Sequence, residues 1–110
     1  MIRWKRLYQG VLATGTPATP VYTAPANTYA AIHAATCFNP GAAAVTVDVW
    51  IAPAGGTATD GTKVATKSIP NGTSAPLTDL VNMKLEPGML LFAAGDGVTL
   101  TIAGAENVPE

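Results

Sequence analysis

From Leu7 to Val47 the chain carries no Asp, Glu, Lys or Arg, and Pro17, Pro20 and Pro25 break up its first half. Each proline removes a backbone donor and holds the preceding residue at extended angles, so the region is not helix, and Val21-Tyr22-Thr23 is at best a short edge strand. The run is rich in Ala, Thr, Pro and Gly rather than Leu, too little apolar for a membrane span and too apolar for a disordered tail. What remains is a folded surface that meets other protein. That points to an assembly component.

The rest of the chain repeats short apolar pieces between turn signals. Val45, Val47, Val49 and Ile51 alternate with Thr46, Asp48 and Trp50 across Ala44 to Ala52, the period of two of a half-buried strand. Tyr29 to Phe38 has enough alanine for a helix. It lacks helical spacing of large apolar residues, however, and the turn Asn39-Pro40-Gly41 closes it, which favours a strand. Lys63 to Ile69 reads as a strand, Leu77 to Leu85 as irregular with room for one helical turn, and Met89 to Ala94 as a strand. Gly95-Asp96-Gly97 reads as a hairpin into Val98 to Ala103, whose Val98, Leu100 and Ile102 point inward. Ile2 to Ala13 is an extended arm or first strand. Eleven glycines, nine prolines and only 12% charged residues in 110 suit many short strands joined by tight turns. The expectation is one all-β domain over residues 1–110, a jelly-roll-like β-sandwich of about eight short strands. A basic N-terminal arm (about residues 1–9) precedes it, and the acidic tail from Glu106 to Glu110 is expected to fray.

Catalytic chemistry has little to work with. His33 is the one histidine and Cys37 the one cysteine. On a regular strand, residues four apart share a face about 13 Å apart along the chain, too far for a hydrogen bond. Cys37 is expected to be a small buried hydrophobe and His33 a neutral interior or subunit-contact residue, so no enzyme is expected. Asp60-Gly61 and Gly95-Asp96-Gly97 read as turns, because neither has a second carboxylate nearby for calcium. A lone cysteine offers no sulfur partners for a metal, and no cofactor or metal is expected. Asn71-Gly72-Thr73 matches a glycosylation acceptor only formally, since the start lacks a signal-peptide pattern and the chain reads as a mature cytoplasmic product. The net charge of −1 argues against nucleic acid, and no stretch reaches a membrane span.

Two features point to contacts between proteins. Arg3, Trp4, Lys5 and Arg6 hold half of the basic residues and suit an anchoring arm, with Trp4 buried in a partner and the cations at the rim. As an arm, this segment would be dispensable for folding. Met89 to Ala94 is apolar on both faces, and a small sandwich has one core, so Leu90 and Phe92 would face a second copy.

Leu7-Tyr8-Gln9-Gly10, Val21-Tyr22-Thr23-Ala24-Pro25, Cys37-Phe38-Asn39 before Ala44-Val45-Thr46-Val47, Leu85-Glu86-Pro87-Gly88 and Leu100-Thr101-Ile102-Ala103-Gly104 follow one another along nearly the whole chain. This layout resembles the small virion structural proteins of tailed bacteriophages. The resemblance implies a non-enzymatic virion component made in the host bacterial cytoplasm, foremost a capsid decoration or cement protein bound to the major capsid protein. A homo-oligomer is expected, a trimer by preference because it suits the symmetry axes of an icosahedral shell. The alternative is a tail, collar or fibre component touching other virion proteins or a host receptor. A second alternative, a small carbohydrate-binding module, needs Trp4, Trp50, Tyr8, Tyr22 and Tyr29 to expose aromatic faces on one side.

Overall fold

A computed structural model describes residues 2–108. Nine strands are present among them: β1 (Ile2–Val11), β2 (Tyr22–Thr23), β3 (Tyr29–Phe38), β4 (Val45–Ala52), β5 (Lys63–Ile69), β6 (Ser74–Pro76), β7 (Lys84–Leu85), β8 (Leu90–Ala94) and β9 (Thr99–Asn107). They form two antiparallel sheets. One runs β1-β9-β3-β6 with β7 also on β3, and the other runs β2-β8-β4-β5. Strands β6 and β7 lie along the same side of β3, separated by a single 3-10 turn over Thr78–Leu80, and so fill one strand position. With eight positions counted, β1 pairs with β9, β2 with β8, β3 with β6 and β7, and β4 with β5. Those are the pairings of one long hairpin folded over on itself, the jelly-roll arrangement.

The core lies between the sheets and follows the alternation legible in the sequence. Val47 and Val49 from β4, Leu100 and Ile102 from β9, and Ile32 and Cys37 from β3 are fully buried there with Leu91, Leu80 and Leu85. Burying each large aliphatic side chain contributes about 1.5–3 kcal/mol. Asn39 is the polar fastening of one end. Buried after β3, it donates from Nδ2 to the carbonyls of Ala43 (2.8 Å) and Ile69 (2.9 Å), and its Oδ1 accepts from the Gly41 N–H (3.0 Å). The Asn39-Pro40-Gly41 turn is thereby tied to the end of β5.

Several expectations need correction. The basic segment is no projecting arm: Ile2 to Arg6 pair with Asn107 to Ala103, so the segment is the first half of an edge strand. Strand pairing also holds the start of the supposed tail, because Glu106 lies within β9 and is buried. Its carboxylate accepts from the Tyr22 hydroxyl of the other sheet and faces Lys5 Nζ at 3.5 Å. The remainder of that tail, residues 109–110, lies outside the described residues. Gly95-Asp96-Gly97 makes a tight turn, but it carries the chain from β8 in one sheet to β9 in the other, so it joins no hairpin.

The second apolar face of β8 is covered by the chain itself. Phe92 packs with Trp50, Ala52, Ala94 and Ala58, and Leu90 lies half-buried beside them. Ala58 comes from the ten-residue connection after β4, which Thr62 pins by accepting the Thr59 N–H at 2.9 Å and donating to the Thr57 carbonyl at 3.1 Å. Phe92 is 2% exposed in the single chain, so no second copy is needed to cover it.

Candidate interaction surface

The uncovered apolar face belongs to the other sheet. Of the six exposed large hydrophobic residues among those described, Ile2, Trp4, Val11, Tyr29 and Phe38 lie on β1 and β3, and only Val81 lies elsewhere. All five point away from the core. In a regular strand this would not happen, because Trp4 and Val11 differ in parity, as do Tyr29 and Phe38.

Two bulges account for it. Pairing of β1 with β9 slips between Arg6 and Tyr8, leaving Leu7 as the extra residue, and pairing of β3 with β9 slips between Ile32 and Ala34, leaving His33 extra. Each bulge reverses the inward-outward alternation of its strand, on either side of Ala103. Arg6 and Gln9, three apart, thus share the outer face and join through Nη1 and Oε1 at 2.6 Å. The same slip corrects the reading of His33 and Cys37. They are four apart yet lie on opposite faces, His33 exposed outside and Cys37 fully buried inside. Burial pushes the Cys37 thiol up to about 11 against a smaller opposing pull from Lys67. It remains a protonated, unreactive thiol near neutrality.

At the Trp4 end the face forms a trough of about 360 Å³. Its floor is Ala31 and Ala105, register partners of each other, with Trp4 opposite Ala105 on the far side. The Trp4 ring centroid stands 4.5 Å from that of His33, with the planes tilted by 34°. Two strand spacings, about 9.6 Å, separate β1 from β3, so the indole reaches across β9 above Ala105 to meet the imidazole. Trp4 nevertheless remains 70% exposed and Tyr29, on the trough's other wall, 58%. Lys84 and Asn107 contribute the polar part of the lining.

The charge of this sheet is one-sided. Arg3, Lys5 and Arg6 on β1 and Lys84 on β7 are four of the chain's six basic residues, and Glu106 is the one acid on the sheet's strands, buried and paired. The structure therefore brings Arg3, Trp4, Lys5 and Arg6 together on one strand, as their spacing implies, and sets Leu90 and Phe92 in the opposite sheet. Lys84 was missed, and Tyr29 and His33, read as a candidate exposed aromatic and an interior or subunit-contact residue, were not linked to Trp4. No local signal joins them to Trp4, because the contact depends on β9 lying between β1 and β3.

A second, polar cleft of about 490 Å³ lies beside Asp48, Trp50, Asp60, Lys63 and Asp96. Asp48 is paired with Lys63 at 3.7 Å, and the same ammonium sits 5.4 Å from the Trp50 ring centre. Trp50 is buried, so its ring face is not open to a ligand. Comparison with known proteins gives no matching family model, no matching curated protein and no matching solved structure.

Proposed function

We propose that this chain is a non-enzymatic structural protein of a bacteriophage particle, a decoration protein that docks on the assembled head and stabilises it. The observation that carries the reading is the outer face of the β1-β9-β3 sheet, where Ile2, Trp4 and Tyr29 stand exposed around an alanine floor at one end and Val11 and Phe38 stand exposed at the other. An exposed apolar trough on so small a domain is a site for another protein. Burial of Trp4 alone contributes about 2–3 kcal/mol per copy, and many copies on a lattice multiply a modest contact. A ligand that binds only the assembled shell stabilises that state by mass action. The order of turn and strand segments, which resembles that of small virion proteins, supports the same reading.

Self-association, by preference into trimers, belongs to this proposal; with β8 covered internally, the support for it is the uncharged β3, whose Tyr29 and Phe38 are exposed. The test is re-decoration of particles lacking the protein. Trp4→Ala, folded as judged by thermal unfolding, should lose occupancy, and full occupancy by that variant would overturn the docking face. Tail or collar location would show as a handful to dozens of copies instead of hundreds.

One observation favours the carbohydrate-binding reading: Trp4 and Tyr29 do share an exposed face. Against it, the trough is lined mainly by carbon, and sugar hydroxyls need several convergent polar partners. Tyr8 and Tyr22 are half-buried and Trp50 is buried, so the aromatic platform stops at Trp4, His33 and Tyr29.

A further inference from the structure

The docking partner's chemistry follows from the open edge of β1. Among the described residues β1 pairs with β9 alone, so alternate N–H and C=O groups along ten residues face away from the sheet. Other sheet edges are shorter: β2 has two residues, β6 three, β7 two and β5 seven. Exposed edges are commonly guarded by charge. Here the guard is of one sign, because β1 carries Arg3, Lys5 and Arg6 and no acid. An antiparallel pairing of β1 with a second copy of itself would oppose cation to cation, which is unfavourable across strands. A strand bearing carboxylates meets the reverse situation.

The side-chain order of β1 specifies more. Ile2 and Trp4 line the outer trough, whereas Arg3 and Lys5 alternate to the opposite side, where Lys5 meets Glu106. We propose that β1 receives an extended segment of a partner protein, alternately apolar and acidic, which adds a strand to the sheet. Its apolar side chains pack beside Ile2 and Trp4, and its carboxylates lie beside Arg3 and Lys5. Main-chain hydrogen bonds along the edge supply affinity, and the alternation supplies selectivity. This rests on the reading of the sheet as a docking site and adds the identity of what docks.

The experiment uses the full chain and fluorescent peptides with alternating Val and Glu, read by anisotropy. Controls are the same peptide with Lys for Glu, the Glu peptide N-methylated at alternate residues, and an oligothymidylate of similar length. The Glu peptide should bind with an affinity that falls as salt rises, and each control should bind at least about tenfold more weakly. Arg3→Glu, an exposed site, should weaken the Glu peptide about fivefold and strengthen the Lys peptide. Equal binding of Glu and Lys peptides, indifference to N-methylation, tighter binding of oligothymidylate, or no binding at millimolar peptide would each overturn the proposal. Particle re-decoration separates the two readings. If Arg3→Glu and the parent occupy shells equally while Trp4→Ala does not, docking through the face stands and strand addition falls.

Discussion

Gly104 is the position at which a single methyl group should damage this fold most. It sits in β9 between Lys5 of β1 and Ile32 of β3, one residue from both bulges. A Cβ placed there overlaps the carbonyl oxygen of Ala31 and comes within 3.0 Å of Leu7 Cδ1. The leucine can rotate away, but the carbonyl belongs to the β3 backbone and moves only if β3 separates from β9. Overpacking of this kind costs about 1–3 kcal/mol, and weakening two ladder hydrogen bonds adds about 1–3 more. Gly104→Ala should therefore lose about 2–6 kcal/mol, with a midpoint of about 4, from a total that is typically about 5–15 for a domain this size. In calorimetry that is a fall in Tm of about 15 °C or more. Gly61→Ala is the control: its Cβ would meet only Thr59 Oγ1, at 3.8 Å, and its φ is not positive, so Tm should barely change. Adding Leu7→Ala to Gly104→Ala should give no rescue. A Gly104→Ala protein melting within a few degrees of the parent would refute the close approach of β9 to β3.

Removing residues 2–6 should lower Tm sharply in the same assay, because it uncovers the edge of β9 and takes Lys5 from the buried Glu106; unchanged melting would return the segment to the role of an arm. Val47→Asp places an unpaired carboxylate at a fully buried position and should cost several kcal/mol, enough to abolish cooperative unfolding by circular dichroism at ambient temperature. Burial raises the Cys37 thiol from 9.0 to about 11, and burial with the Glu106 carboxylate raises the Tyr22 phenol above its ordinary value. In both cases the unfolded chain releases its proton first, so the Cys37 contribution is intact below about pH 9 and lost as pH rises through 11, while that of Tyr22 begins to fall above pH 10 and keeps falling beyond 11. Urea titrations across that window should show it, and Cys37→Ala should shrink the loss. Disulfide reagents should label Cys37 only at the rate of unfolding.

Where the sequence was legible, the cause was local. Val45 to Ile51 and Val98 to Ile102 keep a period of two because alternate residues face the core between the sheets, and Asn39-Pro40-Gly41 ends β3 because proline and glycine cannot extend it. The alanines of Tyr29 to Phe38 suit a helix as well, but the closing turn and the missing helical spacing favour the strand that pairing with β9 makes. Pairing partners were not legible. Lys5 and Glu106 lie a hundred residues apart, and nothing in Lys5-Arg6-Leu7 marks a bulge. Phe92 misled for a related reason. Its cover includes Ala58, a small residue in a loop without apolar periodicity, so an apolar face that the chain closes on itself reads as one awaiting a partner.

The extra residue at His33 acts as a phase shifter for the strand that carries it. Deleting it would leave residues 34–38 in place and turn residues 29–32 over, sending Tyr29 and Ala31 inward and ejecting Ala30 and Ile32 to the outside. The same holds for Leu7 and the segment from Ile2 to Arg6, where Trp4 would exchange sides with Arg3 and Lys5. A one-residue deletion at either place would erase the trough without altering any residue that lines it from the affected strand, other than the bulge itself. Chains of this kind can thus vary freely in loop length between strands, while the residue count within β1 and β3 is held fixed by which side of the sheet must stay uncovered.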